Sequence, residues 1–393
     1  MVNLPVYLDN NATTQMDEEV LEFMLPYFTQ YYGNAASHSH SYGWQAEEAV
    51  ELAREKVAKL INAETKEIIF TSGATESINL ALKGIFEMYA AKGNHIITVK
   101  TEHKAVLDTC THIEKSGGEI TLLPVNDDGL IDLADLEKAI KPQTIIIAVM
   151  YANNETGLIQ PIKEIGKIAR KHGILFFCDA TQAIGKIPVN VLDDNIDIMS
   201  FSAHKIYGPK GVGALYVRRR DPRVRLIAQI DGGGHERGMR SGTLNVPGIA
   251  GFGKACELCL LHLLKEGERI KSLRDKLECA IIESGLALVN GSIKNRLPNT
   301  SNLQFKHKLG DILISKISKY LAVSSGSACT SATLEPSYVL QAMDVEKEDA
   351  RSSIRFSLGR FTTEEEINFT IQIVNDVATQ LYYEAEKKSK VTI

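Results

Sequence analysis

The chain has 393 residues, 44% of them hydrophobic, and sets 44 Lys and Arg against 49 Asp and Glu for a net charge of -5. That mildly acidic balance argues against a protein that coats nucleic acid through bulk charge, and no apolar run reaches the ~20 residues that a bilayer span needs. The start, Met1-Val2-Asn3-Leu4-Pro5, lacks the basic residues and apolar stretch of a secretory signal, so a cytoplasmic location is expected, or a mitochondrial matrix if a presequence has been removed.

Glu47 to Ile61 reads as an amphipathic helix, because Val50, Ala53, Val57, Leu60 and Ile61 recur at helical spacing. Short apolar runs then alternate with helical stretches. Ile68 to Phe70 is a predicted strand, and Thr71-Ser72-Gly73 turns into a helix through Ile78, Leu80 and Ile85. His95 to Val99 is the next strand, followed by a helix from Ala105 and by strands at Glu119 to Val125 and Thr144 to Met150. A helix over Pro161 to His172 precedes strands at Ile174 to Cys178, Ile196 to Phe201 and Val212 to Val217. Buried strands alternating with helices predict an α/β fold around a parallel or mixed sheet.

From Lys254 the texture changes. A long helix is predicted to reach Ser284, with strands at Ser301 to Phe305 and Ser353 to Leu358 and a last helix from Thr363 to Lys387. This predicts a smaller α+β domain, formed by residues 1–14 plus 256–393, beside a large domain over 15–255. The run Lys387-Lys388-Ser389-Lys390 reads as a frayed, solvated end. Six cysteines, Cys110, Cys178, Cys256, Cys259, Cys279 and Cys329, are scattered rather than framed as a disulfide scaffold. Cys256 and Cys259 form a C-x-x-C without a second pair, so two core cysteines one turn apart are expected rather than a zinc site.

In α/β sheets, ligands collect at the carboxyl ends of strands. The polar groups expected there form a coherent set. Ser72-Gly73-Ala74-Thr75-Glu76 joins a strand to a helix, and free N–H groups at a helix N-terminus suit a phosphate; an ordinary capped turn would look the same. Asp179 ends an apolar strand and needs a partner to offset its desolvation; a protonated pyridine nitrogen or a structural ion pair would serve. Gln182, three residues on, could reach a phenolic oxygen of such a ring. Lys205, in Ser202-Ala203-His204-Lys205, follows another strand and could form a Schiff base with a cofactor aldehyde, with Ser202 and His204 on the phosphate. A lone loop lysine is usually solvated, and it gains weight here only beside Asp179 and the phosphate turn.

His103 follows a strand and could stack on a ring and move protons near neutral pH. Asn154, in Asn153-Asn154-Glu155-Thr156-Gly157, could position cofactor or substrate, although Asn and Gly favour turns anyway. Arg355 puts a charge inside an apolar strand and offers a bidentate fork to a carboxylate, unless it serves a structural ion pair. Cys329 lies in Ser324-Ser325-Gly326-Ser327-Ala328-Cys329-Thr330-Ser331, a small, polar stretch read as a loop, where a reactive thiolate fits better than a structural cysteine.

Together these residues resemble a known family. Tyr7-Leu8-Asp9-Asn10-Asn11-Ala12-Thr13-Thr14, Ser72 to Ser77, Thr101-Glu102-His103-Lys104-Ala105-Val106, His204 to Gly211, Arg240-Ser241-Gly242-Thr243, the Cys329 stretch and Arg355-Phe356-Ser357-Leu358-Gly359-Arg360 are similar to the motifs of NifS/IscS-type cysteine desulfurases over nearly the whole chain. The resemblance implies a fold-type I pyridoxal 5'-phosphate enzyme, with a large α/β domain around a mostly parallel sheet, acting on L-cysteine as a homodimer. It implies that Lys205 carries the cofactor, His103 stacks on it, Asp179 and Gln182 hold its ring nitrogen and hydroxyl, and Ala74, Thr75, Ser202 and His204 hold its phosphate. Thr243 would reach the phosphate of the partner subunit, and Asn154 and Arg355 would bind the substrate carboxylate. Cys329 would take the sulfur as a persulfide, for an iron–sulfur scaffold protein and for carriers serving tRNA thiolation, and the resemblance also raises it as a ligand of a transient iron–sulfur cluster. No direct nucleic-acid or membrane partner is implied.

Two departures stand out. Ala35 replaces a common Pro, which predicts a small loop effect. Well-known relatives continue further beyond the position of Lys390, in a tail that contacts the scaffold protein, so the sequence leaves that contact open here. Rival readings are a selenocysteine lyase or another lyase of the same fold, which would not need Cys329, a nicotinamide enzyme, which would need an early G-x-G-x-x-G, and a sulfur-relay subunit that has lost catalysis, which would lack Lys205 or Asp179.

Overall fold

Runs of Ile, Val and Phe that are apolar on both faces need cover on both faces, and the fold supplies it. In the computed structural model, which describes residues 2–306, 309–325 and 335–391, they pair as a seven-stranded sheet in the order Ile68–Thr71, Gly213–Val217, Ile198–Ser202, Leu175–Asp179, Thr144–Ala148, His95–Val99, Glu119–Leu123. Gly213–Val217 is antiparallel to both neighbours and every other pairing is parallel. All are buried except the edge strand Glu119–Leu123, whose residues are largely half-exposed. The parallel strands therefore end along one edge, where Thr71, Val99, Ala148, Asp179 and Ser202 are the last residues of their strands. Helices Ala74–Met88, Lys104–Lys115 and Ile162–His172 make crossovers; the last stops at Gly173, left-handed at φ 64° as a helix end favours.

A second sheet is antiparallel, in the order Ser324–Ser325, Ser353–Ser357, Thr300–Phe305, Ala287–Val289. Val6–Tyr7 pairs in parallel with Leu321–Ala322, which draws the N-terminal segment across to this side. Helix Val246–Glu283, 38 residues long, connects the two packing regions. Ile249, Phe252, Cys256 and Cys259 pack into the core under the large sheet, with Ser41–Leu60, while Ile270, Leu273, Leu277 and Ile281 pack into the core of the small one. By length and composition this helix could cross a membrane, but more than half of its most apolar stretch is buried inside the protein.

The structure differs from the sequence reading at three places. The long helix begins eight residues before Lys254, because Asn245 caps it and Pro247 sits in its first turn. Its early glycines disguise it, yet one has a packing reason: a Cβ on Gly253 would lie 2.6 Å from the Ala53 Cα. The C-terminal helix runs from Glu364 to Val391, so the lysine run is helical rather than frayed. Ser324–Ser325, read as loop, pairs with Arg355 and Ile354 as a strand. Cys256 and Cys259 are buried, as expected of core cysteines.

A buried ion pair ties the large sheet to the segment before the long helix. Arg54 grips Glu236 with two hydrogen bonds of 2.8 Å, and the Phe70 N–H donates to the same carboxylate at 2.7 Å.

Candidate active site

At the carboxyl edge of the large sheet lies a cavity of about 620 Å³. Strand after strand delivers residues to its wall: Ser72 to Glu76, His103, Asn154, Asp179 and Gln182, then Ser202, His204 and Lys205. Asn11 to Thr13 close it from the N-terminal segment and Arg355 from the small sheet. The structure thus brings together ten residues singled out from the sequence: Ala74, Thr75, His103, Asn154, Asp179, Gln182, Ser202, His204, Lys205 and Arg355. Thr243 is exposed and does not line this cavity of its own chain. Cys329 lies outside the described residues.

One end of the cavity is built for an anion. Helix Ala74–Met88 starts there, and no side chain caps its N-terminus, so first-turn N–H groups stay open to a ligand. Strand Gly213–Val217 passes directly beneath, and a Cβ on Gly213 would stand 2.7 Å from the Gly73 Cα; only glycine lets the turn lie that low. His204 Nδ1 contacts Thr13 Oγ1 at 3.1 Å. Burial, with Lys205, Lys210 and Lys186 nearby, pushes His204 down to about 4, so its ring is neutral at neutral pH. A depressed folded-state pKa means that this contribution to stability is complete above the ordinary value of 6.5 and is lost as pH falls toward about 4. In cofactor-free protein, the urea midpoint should therefore drop more steeply between pH 6.5 and 4 in wild type than in His204→Asn.

The other end is cationic with one acidic exception. Asp179 Oδ1 accepts the Thr181 N–H at 3.0 Å, the Thr181 hydroxyl at 2.5 Å and the Ser200 hydroxyl at 3.4 Å. All three donors take the same oxygen, which leaves Oδ2 without a partner among the described residues, on a carboxylate that lines the cavity. Lys205 Nζ donates to the carbonyls of Asn11 and Ala12 at 2.5 and 2.7 Å. Gln182 Nε2 donates to the Asn11 carbonyl at 2.9 Å.

Arg355 donates to Asp9 at 2.6 Å and to the Asn154 carbonyl at 2.9 Å, while its Nε is buried without a partner among the described residues. The ion pair is thus made, and the guanidinium keeps spare donor capacity. Asn154 Oδ1 is likewise buried and unpartnered among the described residues. His103 Nδ1 accepts the Ala105 N–H at 3.1 Å, capping its helix, so a neutral ring carries its proton on Nε2.

Residues not singled out matter as much. Asn11 is a hub: its backbone oxygen takes Lys205 and Gln182, and its side chain meets Lys186, Asn299, Thr300 and the Asn154 carbonyl. The Tyr7 to Thr14 motif flagged the segment but not this role. Glu102 accepts the Met150 N–H at 2.6 Å, and burial holds its carboxyl well above the usual range. Glu155 is pushed up to about 7 by burial and accepts the Ser337 hydroxyl at 2.5 Å. Nothing in a single sequence marks either as buried.

The residues fit a phosphorylated aldehyde with a protonated ring nitrogen: an open helix N-terminus, a carboxylate with one oxygen unshared among the described residues and a lysine amine line one cavity. This fold and site define a fold-type I, pyridoxal-phosphate-dependent enzyme. The chain belongs to the aminotransferase class-V family, whose model matches residues 6–369. It is 57% identical over 382 residues to "Cysteine desulfurase IscS" of Anaeromyxobacter sp. (strain Fw109-5), covering 97% of this chain and 94% of that one. Among solved structures, a "NIFS-like protein" superposes with a TM-score of 0.89 at 39% identity, over 96% of this chain and all of the other. "SspA in complex with cysteine" superposes with a TM-score of 0.81 at 37% identity, over 91% of this chain and 100% of that one.

Proposed function

We propose that this chain is a cysteine desulfurase, which converts L-cysteine to L-alanine and takes the sulfur on Cys329 as a persulfide. The observation that carries the reading is one cavity lined by the Lys205 amine, the Asp179 carboxylate and the Arg355 guanidinium. The names of the relatives and the cysteine complex of a structural neighbour support the substrate.

When bound, pyridoxal phosphate supplies an electron sink that loosens bonds at the substrate α-carbon. The first-turn N–H groups of Ala74 and Thr75, with Ser202 and His204, would hold its phosphate; Asp179 would hold its ring nitrogen and Gln182 its hydroxyl. Arg355 and Asn154 hold the substrate carboxylate, for which the Arg355 Nε is a donor left over. Lys205 removes the α-proton as general base. His103 gives a proton at the substrate sulfur, or takes one, through Nε2. The Cys329 thiolate attacks that sulfur. The S–S bond forms as the C–S bond breaks, the electron pair of that bond stays with the carbon, and the carbon takes a proton to become a methyl group; the sulfurs are oxidised as the carbon is reduced, so no outside oxidant is needed.

The sulfur then passes to iron–sulfur scaffold and carrier proteins in the cytoplasm. The enzyme acts as a homodimer, with Thr243 serving the partner's phosphate site. The exposure of Phe23, Leu25, Phe28, Tyr32 and Trp44 within one short stretch of the chain supports this, since clustered apolar exposure usually marks a contact face.

The test is to incubate the enzyme with L-cysteine and a thiol reductant, and to quantify alanine and sulfide together, beside Cys329→Ala. Equal amounts from wild type and a variant that loses most of both are expected. A variant matching wild type would move the reading to a lyase without a persulfide.

A further inference from the structure

We infer that Lys186 is a positioning residue: its amine fixes the side-chain amide of Gln182 so that an N–H, not the carbonyl oxygen, is presented to the cofactor's ring hydroxyl. This rests on the cofactor contact proposed above for Gln182.

Lys186 follows Gln182 by four residues, in the turns after strand Leu175–Asp179. A lysine in a turn normally extends into solvent. Here Nζ faces inward, donating to Gln182 Oε1 at 2.6 Å and to Asn11 Oδ1 at 3.0 Å. Gly185 permits the path. It is left-handed at φ 69°, and a Cβ there would meet Ile206 Cγ2 at 2.6 Å and Cys259 Sγ at 2.8 Å. The turn is thus pressed against the residue that follows Lys205.

The bonding inventory fixes the amide's orientation. An ammonium offers only donors, and a neutral amine keeps two N–H donors beside its lone pair. The Asn11 carbonyl can only accept, so Nε2 faces it and the group facing Lys186 is the Gln182 carbonyl oxygen. Nε2 is left on the opposite side, where one hydrogen goes to the Asn11 carbonyl and the other remains for a ligand in the cavity that Gln182 lines. Without Lys186, the Asn11 carbonyl alone would anchor that amide. Asn11 Oδ1 would keep Asn299 as a donor, so the loss falls on Gln182. Burial, with Lys205 and Arg355 close by, pushes the Lys186 amine well below the usual lysine range. That fits a group kept for its N–H donors rather than its charge.

The test uses purified holoenzyme and the pH midpoint of the bound cofactor's visible absorption. A donor on the ring oxygen favours the more anionic form, so losing it raises the midpoint. Gln182→Ala and Lys186→Met are each expected to raise it by roughly 0.5–1 unit, and the double variant by no more than Gln182→Ala alone. Lys186→Ala is read in parallel, so that misfolding of one variant, seen as a collapsed melting temperature, leaves the other to decide. A wild-type midpoint in the Lys186 variants, or a shift that adds in full to that of Gln182→Ala, would overturn the inference while leaving the Gln182 contact standing. An unchanged midpoint in Gln182→Ala would remove that contact, and the role of Lys186 with it.

Discussion

Lys205→Ala is expected to lower alanine formation from L-cysteine at least about a thousandfold. A positioned general base alone contributes roughly 10²–10⁴, and alanine also removes the only lysine expected to bond to the cofactor. Neither Lys186 nor Lys210 substitutes for it. Lys186 is engaged with Gln182 and Asn11; Lys210 also lines the cavity, but it enters from past the turn through Tyr207, which is itself left-handed at φ 65° and held by the Thr14 hydroxyl. The fold should survive, because Lys205 donates to backbone carbonyls of Asn11 and Ala12, which stay anchored by Gln182 and by a turn. Alanine is quantified by chromatography, with melting temperature as the control. Retention of a tenth of wild-type activity with an intact fold would remove Lys205 from the chemistry.

Glu236→Ala should have the largest effect on stability, a loss of about 3–5 kcal/mol. The side chains of Arg54 and Glu236 are 4% and 1% exposed, so the substitution leaves a buried guanidinium without its bidentate partner. The Phe70 N–H, next to the edge of the large sheet, loses its acceptor as well. Glu236 and Arg237 are both left-handed, at φ 47° and 57°, a cost that the ion pair offsets in the folded protein. Arg54→Met combined with Glu236→Met should cost less than Glu236→Ala alone, because no charge is then stranded. Urea unfolding measures both; equal losses would mean that packing rather than the stranded charge sets the effect.

The large sheet was legible because its strands are apolar on both faces and bounded by turns. Ile68, His95, Thr144 and Gly213 open strands within a residue or so of where the pattern puts them. Asp179 and Lys205 could be placed at the cavity because both sit at or just past the carboxyl end of an apolar strand, where ligand sites gather, although alone an ion pair or a solvated loop lysine would have explained them as well. The start of the long helix was hidden, because Gly248, Gly251 and Gly253 lower helix propensity, the first while making room for the Asn245 cap and the other two while serving close packing against Met24 and Ala53. Asn11 and Lys186 were illegible in another way. Their contact spans 175 positions in sequence, and neither residue type nor local spacing reveals which lysine turns inward. Glu102 and Glu155 share that difficulty, since only tertiary burial distinguishes them from surface carboxylates.

Helix Val246–Glu283 has a consequence for how the chain can change. Its first half is gripped by the core under Lys205 and its second by the core beneath Arg355. One residue added between Cys259 and Ile270 would turn the second half by about 100° and advance it about 1.5 Å relative to the first. Loops absorb such additions, but a rod clamped at both ends keeps its phase. The spacing between the amine and the guanidinium is thus metered by residue count along one helix, and this span can drift by substitution but not by insertion or deletion.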